Sequence, residues 1–270
     1  SKDDISVVFE DDHIVVVNKP SGVLTVSGEE GIASLGQAVF DAIGCQMGRA
    51  DKMVVHRLGM DTSGLIVFAK TMDALRGMNT LFRTRKVTRQ YEALVCGHVE
   101  NDKGLIDLPL MRDYEFPPYM RVSTDDHQSA LINLSAADVG KKVLEQPKNS
   151  LTKYEVIARE EMDGHPVTRI ALTSISGRTH QLNVHCAAFG HPIVGDVTYG
   201  IDGEAAPNGG LSAAEQEELV PNPSRASEEL QKQIGSAASG KGMCVHAKSI
   251  SFRHPCIKRE VVSLSVDSPF

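Results

Sequence analysis

Apolar residues in this 270-residue chain come in runs no longer than a strand, and most runs stop at a turn cluster. Val7-Val8-Phe9 meets an acidic turn, and His13 to Val17 ends at Asn18-Lys19-Pro20-Ser21-Gly22. Short runs punctuated by Gly, Pro and Asn predict β-structure. Further strands are expected at Val54-Val55, Gly64 to Ala69, Gln90 to Cys96, Thr152 to Ala158, Val167 to Thr173, Val245 to Phe252 and Val261 to Val266. In the Gln90 strand, alternation places Tyr91, Ala93 and Val95 on one side. Two segments have a helical period. Met72 to Arg85 sets Leu75, Met78 and Leu81 or Phe82 on one face, and Thr179 to Phe189 has Thr179 as N-cap, a stripe of Leu182, Cys186 and Phe189, and a Gly190 stop. Many strands and few helices predict an α+β fold with a mixed, mainly antiparallel sheet and flanking helices.

The polar regions at about 122–150 and 201–242, the latter with short helices near Ala213 and Glu228, read as surface insertions on one domain spanning 1–270. No apolar run approaches the ~18 residues of a membrane span. Five scattered cysteines without a C-x-x-C pair fit a reduced intracellular compartment better than a disulfide frame or a zinc ribbon. The acidic start, Ser1-Lys2-Asp3-Asp4, has no signal core. Cytoplasm, or a mitochondrion or plastid after presequence removal, is the expected location.

A net charge of −7 argues against indiscriminate coating of nucleic acid, which needs excess Lys and Arg, but leaves room for a local basic groove. His180 and His185 are five apart, not the four that would put two metal ligands on one helix face, and no Cys pair or H-E-x-x-H accompanies them. The chain has no phosphate-binding Gly-rich loop and no G-x-S-x-G. Neither a metal nor a cofactor is expected.

Five ordered segments remain. They are Asn18-Lys19-Pro20-Ser21-Gly22; His56-Arg57-Leu58-Gly59-Met60-Asp61-Thr62-Ser63-Gly64; Arg89-Gln90-Tyr91-Glu92-Ala93; Gly177-Arg178-Thr179-His180-Gln181-Leu182-Asn183-Val184-His185 running into Gly190-His191-Pro192-Ile193-Val194-Gly195-Asp196; and His246-Ala247. Together they resemble the RluA-type RNA pseudouridine synthases, in the form without an extra N-terminal RNA-binding module. That resemblance implies a sheet crossed by an RNA-binding cleft. It also implies a chemistry in which a uridine is flipped out of structured ribosomal or transfer RNA, its glycosidic bond is broken with the help of an Asp carboxylate, and the base is rejoined through carbon 5, with no cofactor.

The resemblance also exposes two departures. The position of the family's catalytic Asp, directly after His-Arg-Leu, is Gly59, and the position of the Arg that pairs with it is Asn183. Losing a central catalytic side chain costs on the order of 10⁴-fold or more in other enzymes. Losing the partner too avoids an uncompensated buried charge, which typically costs ~3–5 kcal/mol. Asp61 is the nearest substitute; in an extended segment it would lie roughly 6–7 Å from position 59, on the same face.

The binding equipment persists. Tyr91 matches the tyrosine that packs on the flipped base, and Arg57 one that reaches into the RNA stack. Arg83, Arg85, Lys86 and Arg89 are candidates for phosphate contacts, and Lys19, Arg178 and His180 for holding RNA phosphate or pocket loops. The expected reading is an RNA-binding, catalytically inactive or severely impaired homologue, linked to a ribosomal or other large assembly through the insertions. An active isomerase using Asp61 and a structural subunit of a larger complex are the alternatives.

Overall fold

The computed structural model describes residues 1–29 and 31–270. In chain order the strands and helices begin β1 (Val7–Glu10), β2 (Ile14–Lys19), α1 (Leu35–Ile43), β3 (Ser63–Ala69), α2 (Met72–Arg83), β4 (Thr88–Cys96), β5 (Lys103–Asp107), β6 (Leu110–Arg112) and β7 (Met120–Val122). They continue with α3 (Asp125–Leu131), α4 (Ala136–Val139), β8 (Leu151–Met162), β9 (His165–Ser174), α5 (Gln181–Phe189), α6 (Ala213–Leu219), α7 (Glu228–Ala237), β10 (Val245–Arg253) and β11 (Val261–Ser265). The pairing is mainly antiparallel, so the α+β expectation holds. The chain condenses into two compact units, 1–92 with 245–270, and 93–244.

In the first unit β2 pairs antiparallel with β1 and β3, β3 runs parallel to β10, and β10 pairs antiparallel with β11. Alternation along β2 and β3 sends Val15, Val17, Ile66 and Phe68 into a core beneath α1, and Ile14, Val16, Leu65 and Val67 into one that also holds Ala74 and Met78 of α2. Both faces are covered, which is why these strands read as unbroken apolar runs. α2 stops at Arg83, short of the expected Arg85, because Arg85 adopts a left-handed backbone (φ 56°) that a helix cannot continue through. Val54-Val55 forms no strand; Val54 makes one isolated bridge to Phe68.

In the second unit β8 pairs antiparallel with β9 and β5, and β6 with β7. The regions read as insertions fold into α3, α4, α6 and α7, the last two where expected, yet both bury apolar side chains, among them Val143, Leu211, Ala226 and Ile234. α5 also differs from its pattern. Its N-cap is His180 rather than Thr179, and it buries Gln181, Val184, His185, Cys186, Ala187 and Ala188 instead of one stripe. The cap shifts because the Gln181 side chain folds back, its Oε1 accepting from Arg178 N–H and Ser176 Oγ–H.

Three imidazoles are held neutral by burial. His185 donates from Nε2 to the Leu108 carbonyl (2.9 Å) and accepts at Nδ1 from Thr152 Oγ (2.7 Å). His191 donates from Nδ1 to the Cys96 carbonyl (2.7 Å) and accepts from Ser224 Oγ. Burial pushes both down from 6.5 to about 4, and His56 to about 3. The unfolded chain therefore takes up protons that the folded chain refuses. Their contribution is complete above pH 6.5 and is lost as the pH falls towards 4. Urea midpoints are expected to drop steeply over that interval, by up to about 1.4 kcal/mol per pH unit for each imidazole. His191→Asn retains a donor for Cys96 and should remove one proton's share of the slope; an unchanged slope would show that His191 titrates normally.

Candidate functional site

The segment 56–63 is built by tethering its backbone. His56 accepts the Val67 N–H at Nε2 (2.8 Å), which leaves the ring proton on Nδ1. Leu58 is buried, and both its backbone groups bond the Thr25 hydroxyl: the hydroxyl donates to the Leu58 carbonyl (2.9 Å) and accepts its N–H (3.2 Å). The Met60 carbonyl accepts from Gly22 N–H (2.8 Å), and the Asp61 carbonyl from Ser21 Oγ (3.0 Å). At the far end Ser63 Oγ meets His246 Nδ1 (2.7 Å), while His246 Nε2 donates to the Val266 carbonyl. The first, second and last of the five segments thus form one assembly.

Lys19 is the centre of that assembly, holding loops rather than offering a phosphate contact. It is fully buried, and its ammonium donates to the carbonyls of Pro20 (2.9 Å), Val23 (2.7 Å) and Met60 (2.9 Å). Three protons meet three acceptors, so no donor remains for RNA. Burial lowers its pKa to about 8, and the Asp61 carboxylate pulls the other way. The signal was available in the sequence: a Lys on the end of a buried strand, against a Pro-Ser-Gly turn, has carbonyls within reach.

The tethers hold an exposed tip. Arg57, Gly59 and Met60 are exposed, and Arg57 has no side-chain partner among the described residues. Gly59 C=O accepts from Thr62 N–H (3.0 Å), closing a β-turn with Asp61 at its third position. The extended geometry assumed for Asp61 is therefore replaced by a turn, imposed by the Lys19 and Gly22 bonds to Met60. Gly59 is not required by this backbone. Its φ is outside the left-handed region, and a Cβ there would meet only Thr62 Oγ1, at 3.6 Å. Gly64, five residues on, is the opposite case, with φ +116° and the Ala247 backbone where a Cβ would sit.

Tyr91 is half-buried against the core cluster that contains Leu58. Its hydroxyl accepts from Arg89 (3.4 Å), and the Arg89 guanidinium lies 5.3 Å above the Phe82 ring, which stacks on His56. Burial, reinforced by the Arg89 charge, keeps His56 neutral. Arg89 is thereby committed to orienting Tyr91 and His56. Arg83, Arg85 and Lys86 are exposed at the end of α2.

The second unit holds the remaining predicted residues. Asn183 donates from Nδ2 to Asp196 Oδ2 (2.9 Å), and Asp196 Oδ1 accepts from the N–H groups of Thr198 (3.0 Å) and Tyr199 (2.9 Å). His180 Nδ1 lies 2.6 Å from Tyr199 Oη, which also accepts from Met120 N–H. Arg178 reaches the Asn149 carbonyl through Nε (3.4 Å). The Asp196–Tyr199 bracket was not singled out from sequence as the support of Asn183 and His180. No group of His, Cys, Asp and Glu able to hold a metal occurs among the described residues.

The site thus joins a tethered turn entering β3 to a tyrosine packed against the same core. The solved structure of human RNA pseudouridylate synthase domain containing 1 has the same fold. It superposes with a TM-score of 0.69 over 100% of this chain and 86% of that one, at 24% identity. A family model described as RNA pseudouridylate synthase matches residues 13–188. The dual-specificity RNA pseudouridine synthase RluA of Pasteurella multocida is 34% identical over 266 residues, covering 98% of this chain and 94% of the relative. Its namesake from Vibrio parahaemolyticus is 41% identical over 194 residues, 72% of this chain and 68% of that one. The chain belongs to the RluA-type RNA pseudouridine synthase family.

Proposed function

We propose that this protein is an RNA-binding member of the family that has lost uridine isomerisation. The observation that carries the reading is Gly59: an exposed glycine, with no backbone reason to be one, stands where the family's motif has its Asp. Asn183 supports it, since a neutral amide satisfied by Asp196 replaces the cation that would have paired with that Asp. With neither group present, the tip retains the shape of a uridine site without a base or nucleophile at the ribose. Structured ribosomal or transfer RNA is the proposed ligand, through Arg57, Tyr91, Arg178, His180 and the cations ending α2. A ribosomal or other RNA-containing assembly is the proposed setting. The five free cysteines support a reducing compartment.

Filter binding to bulk tRNA and bulk ribosomal RNA tests the RNA half of this reading. Affinity should fall on the order of 10³-fold between about 50 and 200 mM salt if six or so phosphates are contacted. A flat, weak response would return the protein to a purely structural role.

A further inference from the structure

Exposed cations are not confined to the end of α2. The last residue of β10, Arg253, and the segment joining it to β11, with Lys258 and Arg259, carry exposed cations, and none has a side-chain partner among the described residues. Arg76 and Arg83 on α2 are exposed and unpartnered in the same sense. The two elements touch. A Cβ at Gly77 would lie 2.6 Å from Pro255 Cβ, so the glycine beside Arg76 is what lets the hairpin approach the helix. Seven residues separate Arg76 from Arg83, which puts them on one face, roughly 10 Å apart along the axis.

The hairpin is also rigid. His254 is buried and accepts at Nδ1 from the N–H groups of Cys256 and Ile257 (3.0 Å each). Its Nε2 donates to Asp11 Oδ2 (2.7 Å), and its backbone N–H bonds the Glu260 carbonyl. The cations are thus presented on a braced turn, with Asp11 engaged by His254 beneath them. Charge is unevenly shared along the chain. The first unit has about as many basic as acidic side chains, whereas the second has a large acidic excess.

We propose that the β10–β11 hairpin and the Arg76 part of α2 form a second RNA-docking surface, gripping the phosphate backbone of the bound RNA beyond the contacts assigned to the 56–63 loop and the end of α2. It rests on the RNA-binding reading above. Spaced, unpaired Arg side chains on a rigid support suit phosphates, which they bind bidentately and without reading sequence.

The test is the salt dependence of bulk tRNA and ribosomal RNA binding by Arg76→Gln/Lys258→Gln/Arg259→Asn. Asn is chosen at 259 because φ there is +64°. Loss of three phosphate contacts should lower the magnitude of the log–log salt slope by about 2 and the low-salt affinity by about tenfold, with an unchanged melting temperature. Arg76→Lys/Arg259→Lys should retain the parent slope. A neutral variant with the parent's slope and affinity overturns the second surface and leaves RNA binding by the loop standing. A parent with no salt-sensitive affinity sinks both. Polyglutamate that displaces RNA from the parent but not from the neutral variant, as effectively as RNA of equal charge, would assign the surface to an acidic protein instead.

Discussion

Tritium release from RNA labelled at uridine carbon 5 is expected to stay at background for the native protein and to appear in Gly59→Asp/Asn183→Arg. The fold has room for the change at 59. At 59 the new Cβ would meet only Thr62 Oγ1, at 3.6 Å, on an ordinary backbone. At 183 an arginine would find the Asp196 carboxylate that now accepts from Asn183, and a charge-assisted bond would replace a neutral one. The expected gain is large, on the order of 10⁴-fold, because that is the usual cost of removing a central catalytic group. Each single change should gain far less. Gly59→Asp alone adds a carboxylate without its cation, and Asn183→Arg alone adds no base. Release by the native protein would sink the inactive reading and direct attention to Asp61→Ala. Silence from the double variant, despite intact RNA binding, would show that the loop no longer holds uridine as the family does.

Gly64→Ala should be the most damaging one-methyl change in the first unit. The added Cβ would lie 2.3 Å from the Ala247 carbonyl oxygen and 2.5 Å from its nitrogen, on a backbone at φ +116°. Backbone strain and the separation of β3 from β10 should together cost at least ~3 kcal/mol. Because Ser63 and His246 meet at the same pair of strands, the loop's anchor is lost with it. The RNA affinity should fall alongside the urea midpoint. Gly59→Ala is the matched comparison. With no clash and no left-handed φ, it should be neutral or stabilising by about 0.4–1 kcal/mol, through the entropy of the unfolded chain. Equal midpoints for the two variants would refute the close β3–β10 contact.

The division between what could and could not be read in advance follows the range of the forces involved. Alternation and apolar runs locate β2, β3, β8, β9 and β10, because side-chain burial on a strand repeats every two residues and is written locally. The period of α2 and the polar helices α6 and α7 were legible for similar reasons. α1 was not anticipated, although Ser34 caps it through Gln37 N–H. The anomaly at Gly59 and Asn183 was visible in the motifs alone.

The fates of polar groups were not, because their partners lie far along the chain. Lys19 reads as a surface cation until Met60, 41 residues away, supplies its third carbonyl. Arg89 reads as part of a basic stretch until His56 and Phe82 fold beneath it. Asp61 reads as a neighbour of position 59 on an extended strand until bonds from Lys19 and Gly22 to Met60 make a turn. The sequence by itself determined the strands and the family motifs. Only the tertiary structure decided which cations are consumed in holding the loop and which still face solvent, since a charge is assigned its role by whatever long-range contact desolvates it.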